Sequence, residues 1–598
     1  MSKKDKKLIK YTNREFGTIK KGLVDYAKRY YPDTYKDFSE ASFGSLMFDT
    51  VAYVGDVLSF YLDYQANESF LDTAVEYDNI LRLGEQVGYK QPLKSNSFGV
   101  VSIFMLAPVE LVGTGPDTNY LPVLSKGTKF TSNAGHIFTL IDDIDFANPD
   151  NEVVVATSNE QDGKPTAYAV RSRGRVMSGE VNSETINVGD FTRFLTVPLS
   201  DPNITEIVSV VDSEGHEYFE VDYLSQDTVF RSVVNKDQET RRYVPNIMVT
   251  TSVPRRYSVF NRNGTILIKF GYGSESSLKS DSTTHPSNVV LKMHGRDYET
   301  DMTLDPSKLL ETDKFGIAPA NTTLTIGYRT NTADNVNLAA RGLTNISEPK
   351  LIFKSEATNN GKITFVRDSL EVSNEEPITG DVSVPTITEL KQRVNDVFAS
   401  QNRAVTTNDY EALVYRMHPR FGSVKRTKIV RDQDSFKRNL NLYILSEDAD
   451  RNLTTSSPLL KNNVKTWLNQ YRMINDTIDI LDPKIINIKI NFAAVVDPST
   501  DRLEALNVAI SEIQSMFEEK LDIGQPIYIT KIYDRLNNLD EIVDVTNVEM
   551  INQNGGLYSD EVLNLKQYIS ADGRILYAPE NVIYELKYPN LDIQGTVR

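Results

Sequence analysis

The sequence predicts a multidomain α+β protein, with an N-terminal helical bundle segment, β-rich middle domains, and a C-terminal helical hairpin and α+β subdomains. Three observations carry that expectation. Residues 42–89 hold a long run of apolar side chains at helical spacing. From Phe98 the pattern changes to short apolar or alternating runs split by Gly, Asn, Asp and Pro, the signature of strands. Beyond residue 436, strand-like and helix-like segments alternate, which suits helices packed on one face of a sheet.

In the N-terminal segment, Phe43, Met47, Val51, Val54, Leu58 and Tyr61 keep the three-and-four spacing of one helix face. Leu46, Tyr53, Val57, Phe60 and Tyr64 line a second. A helix apolar on most sides is expected to be buried on most sides, as in the middle of a bundle. Tyr53, Phe60 and Tyr64 are therefore expected to pack against partners. Asp49, Asp56 and Asp63 recur every seven residues, a spacing that drifts only about 20° per repeat on a helix, so the carboxylates form one line. That line is either a solvated face or a register device meeting Arg or Lys of a partner helix. Catalysis does not fit it, because carboxylates two turns apart lie roughly 10 Å from each other along the axis.

The boundaries follow shifts in composition. Gly84, Gly88 and Pro92 close the helical region and set a first domain at 1–95. Its Lys-rich start reads as a flexible arm, and Asp33 or Ser39 offers a cap for the helices that follow. A first β-rich domain is expected at 96–190, a second at 191–370, and a breaker-rich linker at 371–385. Within the first, residues 126–146 read as two strands joined at Asn133-Ala134-Gly135. Within the second, Asn263-Gly264 is a hairpin-turn signal. A helical hairpin is expected at 386–435, its first helix capped by Thr386 or Thr388 ahead of Leu390, Val394, Val397 and Phe398. Thr407 or Asn408 is expected to cap its second helix, with Tyr410, Leu413, Val414 and Met417 on one face. The C-terminal α+β domain spans 436–598.

Composition narrows the function classes. At 598 residues the chain exceeds one core and is divided into several domains. The net charge of −17 argues against a nucleic-acid binder, which would present a basic face. With no cysteine there are no disulfides, thiolate metal sites or Cys nucleophiles. The first residues, MSKKDKKLIKYTNREF, show no secretory signal, and the longest apolar run, 98–109, is too short to span a bilayer, so no membrane insertion is expected. His136, His216, His285, His294 and His418 are scattered without metal spacing. The Asp142, Asp143 and Asp145 cluster lacks the Gly and terminal Glu of a calcium loop. Gly271-x-Gly273 lacks the third Gly and the helix of a dinucleotide fingerprint. The expectation is a protein with no cofactor, no metal and no enzymatic chemistry.

Residues 48–74, FDTVAYVGDVLSFYLDYQANESFLDTA, followed by Asn79, Leu83, Gly88 and Tyr89, resemble the N-terminal segment of baseplate wedge proteins of contractile-tailed bacteriophages. These belong to the wider baseplate J-like family. Gly127, Thr128, Phe130 and Phe138 are similar to a second family element. Phe270, Gly271, Gly273, Tyr328 and Arg329 are similar to two more, although this chain has Gly-Tyr-Gly where the family often has Gly-Asp-Gly. RAVTTNDYEALV resembles a fifth through Arg403, Val405, Thr406, Asp409, Tyr410, Glu411 and Leu413. The resemblance implies a structural subunit of the baseplate wedge, assembled in the host cytoplasm and located in the virion tail. It further implies pairing within wedges, links between wedges into a ring that rearranges to trigger sheath contraction, and a C-terminal self-association region. The implied partners are copies of itself, other wedge proteins through a helical bundle, and central hub or sheath-initiating proteins. Two alternatives stand beside it: a homologous component of a non-phage contractile injection system, and a tail-associated enzyme or receptor-binding fibre.

Overall fold

The structure is a computed structural model that describes residues 15–32, 42–90, 93–110, 115–158, 165–226, 228–234, 246–262, 264–274, 315–401, 403–432, 439–473, 475–497 and 500–598. The Lys-rich start, Asp33 and Ser39, Asn263 of the turn signal, and His285 and His294 lie outside the described residues. The protein is multidomain α+β. Its main helices are α1 (Phe16–Tyr30), α2 (Phe43–Glu68), α3 (Tyr77–Gln86), α4 (Asn360–Asp368), α5 (Ile387–Ser400), α6 (Thr407–Tyr415), α7 (Pro458–Leu468), α8 (Arg502–Met516) and α9 (Ile529–Asn537). Two compact units divide the chain. One gathers Met1–Gln91 with Pro385–Gln401, the other Pro92–Val384 with Asn402–Arg598.

In the first unit α1 packs on α2, and α3 packs on α5. The α3–α5 core is Ala74, Ile80, Leu81, Tyr89, Leu390, Val394 and Val397. Gly84 lets the two helices meet, since a Cβ there would lie 3.0 Å from Val394 Cγ2. Thr386 caps α5 by accepting the Glu389 N–H. The expected hairpin at 386–435 is thereby divided: α5 joins the N-terminal helices, and α6 belongs to the second unit. The cause is complementarity, because the apolar line of α5 matches the Ile80, Leu81 and Gly84 face of α3.

The second unit begins with an antiparallel sheet. Its order is Leu343–Glu348, Lys129–Ser132, Ile137–Leu140, Pro165–Ser178, Phe98–Pro108 and Glu371–Ser373, with Glu152–Ser158 paired to Pro165–Ser178. The expected pair of strands in 126–146 turns at Gly135, and Phe130 faces Phe138 across it, both fully buried. The expected split between 96–190 and 191–370 is corrected here. The second sheet, from Glu180–Val188 to Thr322–Thr330, is inserted into the first domain, and the chain then returns to the first sheet through Leu343–Glu348 and Glu371–Ser373. The expected linker at 371–385 is likewise an integral piece: it supplies that last strand and buries Asn374, Ile378 and Thr379.

Both passages between the sheets meet at one node. Gly179 leaves with φ of 89°, and a Cβ on it would lie 2.5 Å from Thr330 O. Arg329 donates to Gly179 O at 3.1 Å and pairs with Glu206 at 2.9 Å. Asn331 donates to Ser178 Oγ and Asn96 Oδ1 at 3.1 and 3.0 Å.

Two further layers complete the unit. Strands Arg426–Arg431, Asn439–Glu447, Leu453–Thr455 and Thr477–Leu481 form a sheet whose core includes α6 and α7. Strands Lys484–Val496, Ile542–Gln553, Val582–Glu585 and Ile593–Val597 carry α8 and α9 on one face. A buried polar latch ties the first of these to the segment behind the β-rich sheet. Lys425 sits 3.2 Å from Glu447, and Arg451 reaches both Glu447 (3.2 Å) and Asp381 (3.4 Å). Burial raises the Asp381 carboxyl from an ordinary 3.8 to about 6, against the pull of Arg451. At Glu447 burial pushes the same way, but Lys425 and the Ser383 N–H and hydroxyl outweigh it, and the group ionises below its usual range.

A raised carboxyl makes the folded state hold its proton more tightly than the unfolded one, so the Asp381 contribution falls as pH rises from about 4 to about 6. Asp381→Asn is expected to remove that slope. Glu447 acts in the opposite sense and is common to both chains. Urea midpoints of the two proteins at pH 4 and pH 7 check this: the variant should gain on the wild type towards pH 7, by up to roughly 3 kcal/mol. A difference that does not change with pH overturns it.

Candidate functional site

The 26 residues of α2 make a rod about 39 Å long. Ser42 starts it by accepting the Ser45 N–H at 3.1 Å. The large apolar side chains expected to drive burial are not buried in this chain: Phe43, Leu58 and Phe60 stand 76, 57 and 62% exposed. Leu46, Met47, Val51, Tyr53, Val54, Tyr61 and Leu62 are exposed as well. The apolar surface expected to pack against partners is therefore uncovered in the isolated chain. Only the small residues Ser45, Ala52 and Ser59, seven apart, are buried along the body of the helix.

The reason is steric. Gly55 lies beside those small residues, and a Cβ on it would be 3.2 Å from Ile19 Cδ1 of α1, so α1 approaches closely where α2 has no bulk. The acidic line runs along this seam. Lys20 of α1 sits 2.6 Å from Asp49 Oδ1 in an ion pair that is off the angle of a directed hydrogen bond. Asp49, Asp56 and Asp63 are half-buried. The first carboxylate of the line thus meets a lysine of its own chain. At 100° per residue, the apolar positions from Phe60 round to Leu62 then span an uncovered arc of about 200°.

The end of α2 is locked by a residue the sequence reading missed. Glu68 is buried, and its carboxylate accepts the Val75 N–H at 2.7 Å and the Asn79 amide at 2.8 Å. It also accepts the Glu76 N–H at 3.4 Å, just ahead of α3, where a carboxylate suits the helix dipole. Tyr64 donates to Glu76 at 2.8 Å, which holds its phenol above the usual range, and its ring stacks on Phe60 at 6.3 Å.

The residues marked by resemblance take architectural places. Gly127 turns with φ of 82° and donates to Leu140 O, and Phe130 fills the core of the first sheet. Thr406, not Thr407 or Asn408, caps α6: Thr406 and Asp409 exchange side-chain and backbone bonds at 3.3 and 2.8 Å. The Val405 N–H also donates to Asp409, while the Val405 side chain and Arg403 are exposed. Tyr410 is buried and donates to Asp476 at 2.7 Å; burial and that carboxylate raise it above the ordinary tyrosine range. Glu411 and Tyr415 accept the Ile429 and Thr427 N–H groups, which closes the edge of strand Arg426–Arg431. Asp142 pairs with Arg175, Asp143 accepts the Lys126 N–H, and Asp145 accepts the Ala147 N–H. His216 pairs with Asp212 at 3.1 Å and His418 with Glu220 at 3.5 Å. Among the described residues no group of three His, Asp or Glu is arranged to hold a metal, and no helix is long and apolar enough to cross a membrane.

The principal candidate site is thus the uncovered surface of α2. Residues 15–86, which take in all of α1, α2 and α3, match the family model described as bacteriophage baseplate protein, N-terminal domain. Over these residues the chain is similar to a baseplate N-terminal domain. No curated protein matches the chain. Among solved structures, a chain of the 6-fold symmetrised cryo-EM structure of the anti-feeding prophage (AFP) baseplate aligns over 96% of this chain and 98% of that one, at 10% identity and a TM-score of 0.25. The matched segment pairs an internal seam of small and acidic residues with an outward apolar arc.

Glu68→Ala should loosen the α2–α3 corner, because two backbone N–H groups lose this acceptor and the Asn79 amide keeps only the residue 68 carbonyl. The expected cost is about 1–3 kcal/mol. Urea unfolding followed by far-ultraviolet circular dichroism checks it, and an unchanged midpoint would remove the corner role.

Proposed function

We propose that this protein is a structural subunit of the tail baseplate wedge of a contractile-tailed phage, related to the baseplate J-like proteins, and that α2 anchors it among its neighbours. The observation that carries this reading is the uncovered arc of about 200° on a helix that lies within a baseplate-type domain. One packed helix covers roughly 100° of such a surface, so the arc asks for two helices beyond α1. Helices of other wedge proteins, and of a second copy of this chain, are the fitting occupants: patches of this kind mark association sites in soluble proteins. In this reading Tyr53, Phe60 and Tyr64 pack inside the shared bundle. Asp49 keeps α1 in register on α2, and Asp56 and Asp63 extend that role. The resemblance of the sequence supports pairing within wedges and linkage of wedges into a ring that rearranges to trigger sheath contraction. Hub or sheath-initiating proteins fit as further contacts, and the virion tail as the location. The C-terminal sheet, helix-covered on one face, leaves Val495 and Ile551 exposed on the other, a surface suited to self-association.

Two experiments test the reading. Leu58→Glu with Phe60→Glu should shift the stability of the isolated chain by only about 0.5 kcal/mol per site, since both residues are exposed. The same pair should abolish incorporation into particles in a complementation assay, and normal incorporation would refute the bundle role. Antibody labelling of purified particles, viewed by negative stain, should decorate the tail end plate in a sixfold pattern. Label on fibres, or none on particles, would remove the baseplate assignment.

A further inference from the structure

Away from the helical surface, the C-terminal layers hold a group of side chains that structural packing alone does not require. Glu585 is 2% exposed at the end of strand Val582–Glu585, and its register partner on the neighbouring parallel strand is Asn487, 1% exposed. The Glu585 carboxylate holds an amine and an amide at once. Oε1 accepts the Lys520 ammonium at 2.8 Å and the Leu453 N–H at 2.8 Å. Oε2 accepts Asn487 Nδ2 at 3.1 Å. The Asn487 carbonyl is itself polarised, accepting the Ser559 N–H at 2.8 Å. Leu445, Leu453, Ile523 and Ile583 form an apolar cluster over this part of the fold.

One cation would satisfy a buried carboxylate. The added primary carboxamide, with a backbone N–H on its oxygen, completes a different set: a nucleophilic amine, a proton carrier touching both reacting nitrogens, and a donor where negative charge would develop. One carboxylate holds both groups, the amine on Oε1 and the amide on Oε2, and such shared positioning is what lets neighbouring groups react without a cofactor.

We propose that Glu585 promotes an intramolecular amide bond between Lys520 Nζ and Asn487 Cγ. Glu585 takes a proton from the Lys520 ammonium, and the freed lone pair attacks Asn487 Cγ. The new N–C bond places negative charge on Oδ1, where the Ser559 N–H receives it. Glu585 passes its proton to Nδ2 and takes the second proton from Nζ. The Cγ–Nδ2 bond breaks, and Nδ2 departs with both protons as ammonium. Nothing is oxidised or reduced, and Glu585 ends as it began. The product is a covalent bridge between strand Lys484–Val496 and the segment that follows α8.

Intact-mass measurement of the folded full-length chain tests this directly. The expected mass is that of the sequence less one ammonia, with a peptide in the digest that joins Lys520 to Asn487. Lys520→Arg keeps a cation for Glu585 but has no primary amine, and should restore the full mass with unchanged circular dichroism. A wild-type chain at the full sequence mass overturns the proposal, whatever the variants do. So does an ammonia deficit that maps to a succinimide at another asparagine.

Discussion

The seam between α1 and α2 decides what the first unit presents to the outside. Ser45, Ala52, Gly55 and Ser59 are the positions where α2 has too little side chain to keep another backbone away, and α1 settles there. The ion pair between Lys20 and Asp49 is partly solvated and contributes at most about 1 kcal/mol. Steric fit selects the seam, and charge adjusts the register. The outcome inverts the usual packing of an amphipathic helix: small and acidic residues are spent internally, while the large apolar ones are turned outward.

The second unit is organised by interactions distant in sequence. An inserted sheet must be entered and left, and both passages run through Gly179 and Thr330 with Arg329 bridging them. A side chain at 179 would collide with the returning strand, so the close approach depends on glycine. The polar latch of Asp381, Ser383, Lys425, Glu447 and Arg451 then joins the β-rich sheet to the C-terminal layers without solvent access at its centre.

Local features were legible in the sequence. The hairpin turning at Gly135, the Thr386 cap and the long α2 helix all follow from spacing and residue type. Pairings over long separations were not. That Ile346 lies opposite Phe130, placing residues beyond 340 in the first sheet, leaves no mark in either segment. Nor does the affinity of α5 for α3, because an apolar stripe does not name its partner. The cap of α6, Thr406, lies one or two residues ahead of the expected Thr407 or Asn408, because three consecutive polar residues compete for the role and the Asp409 side chain selects the first. The acidic line was visible from its period, but its meeting with Lys20 was not. Glu68 and Asp476 act on residues seven and 66 positions away, outside any capping pattern.

The outward arc of α2 also bears on how such a chain is kept usable before it is built into anything. A rod of exposed leucine, phenylalanine and tyrosine invites collapse with any similar surface, including its own copies. The net charge of −17 opposes that encounter between like molecules. A neighbour of lower or opposite charge feels no such barrier. Acidity and apolarity on one chain therefore act at different ranges: repulsion slows the encounter of like molecules, and apolar contact holds those surfaces that do meet.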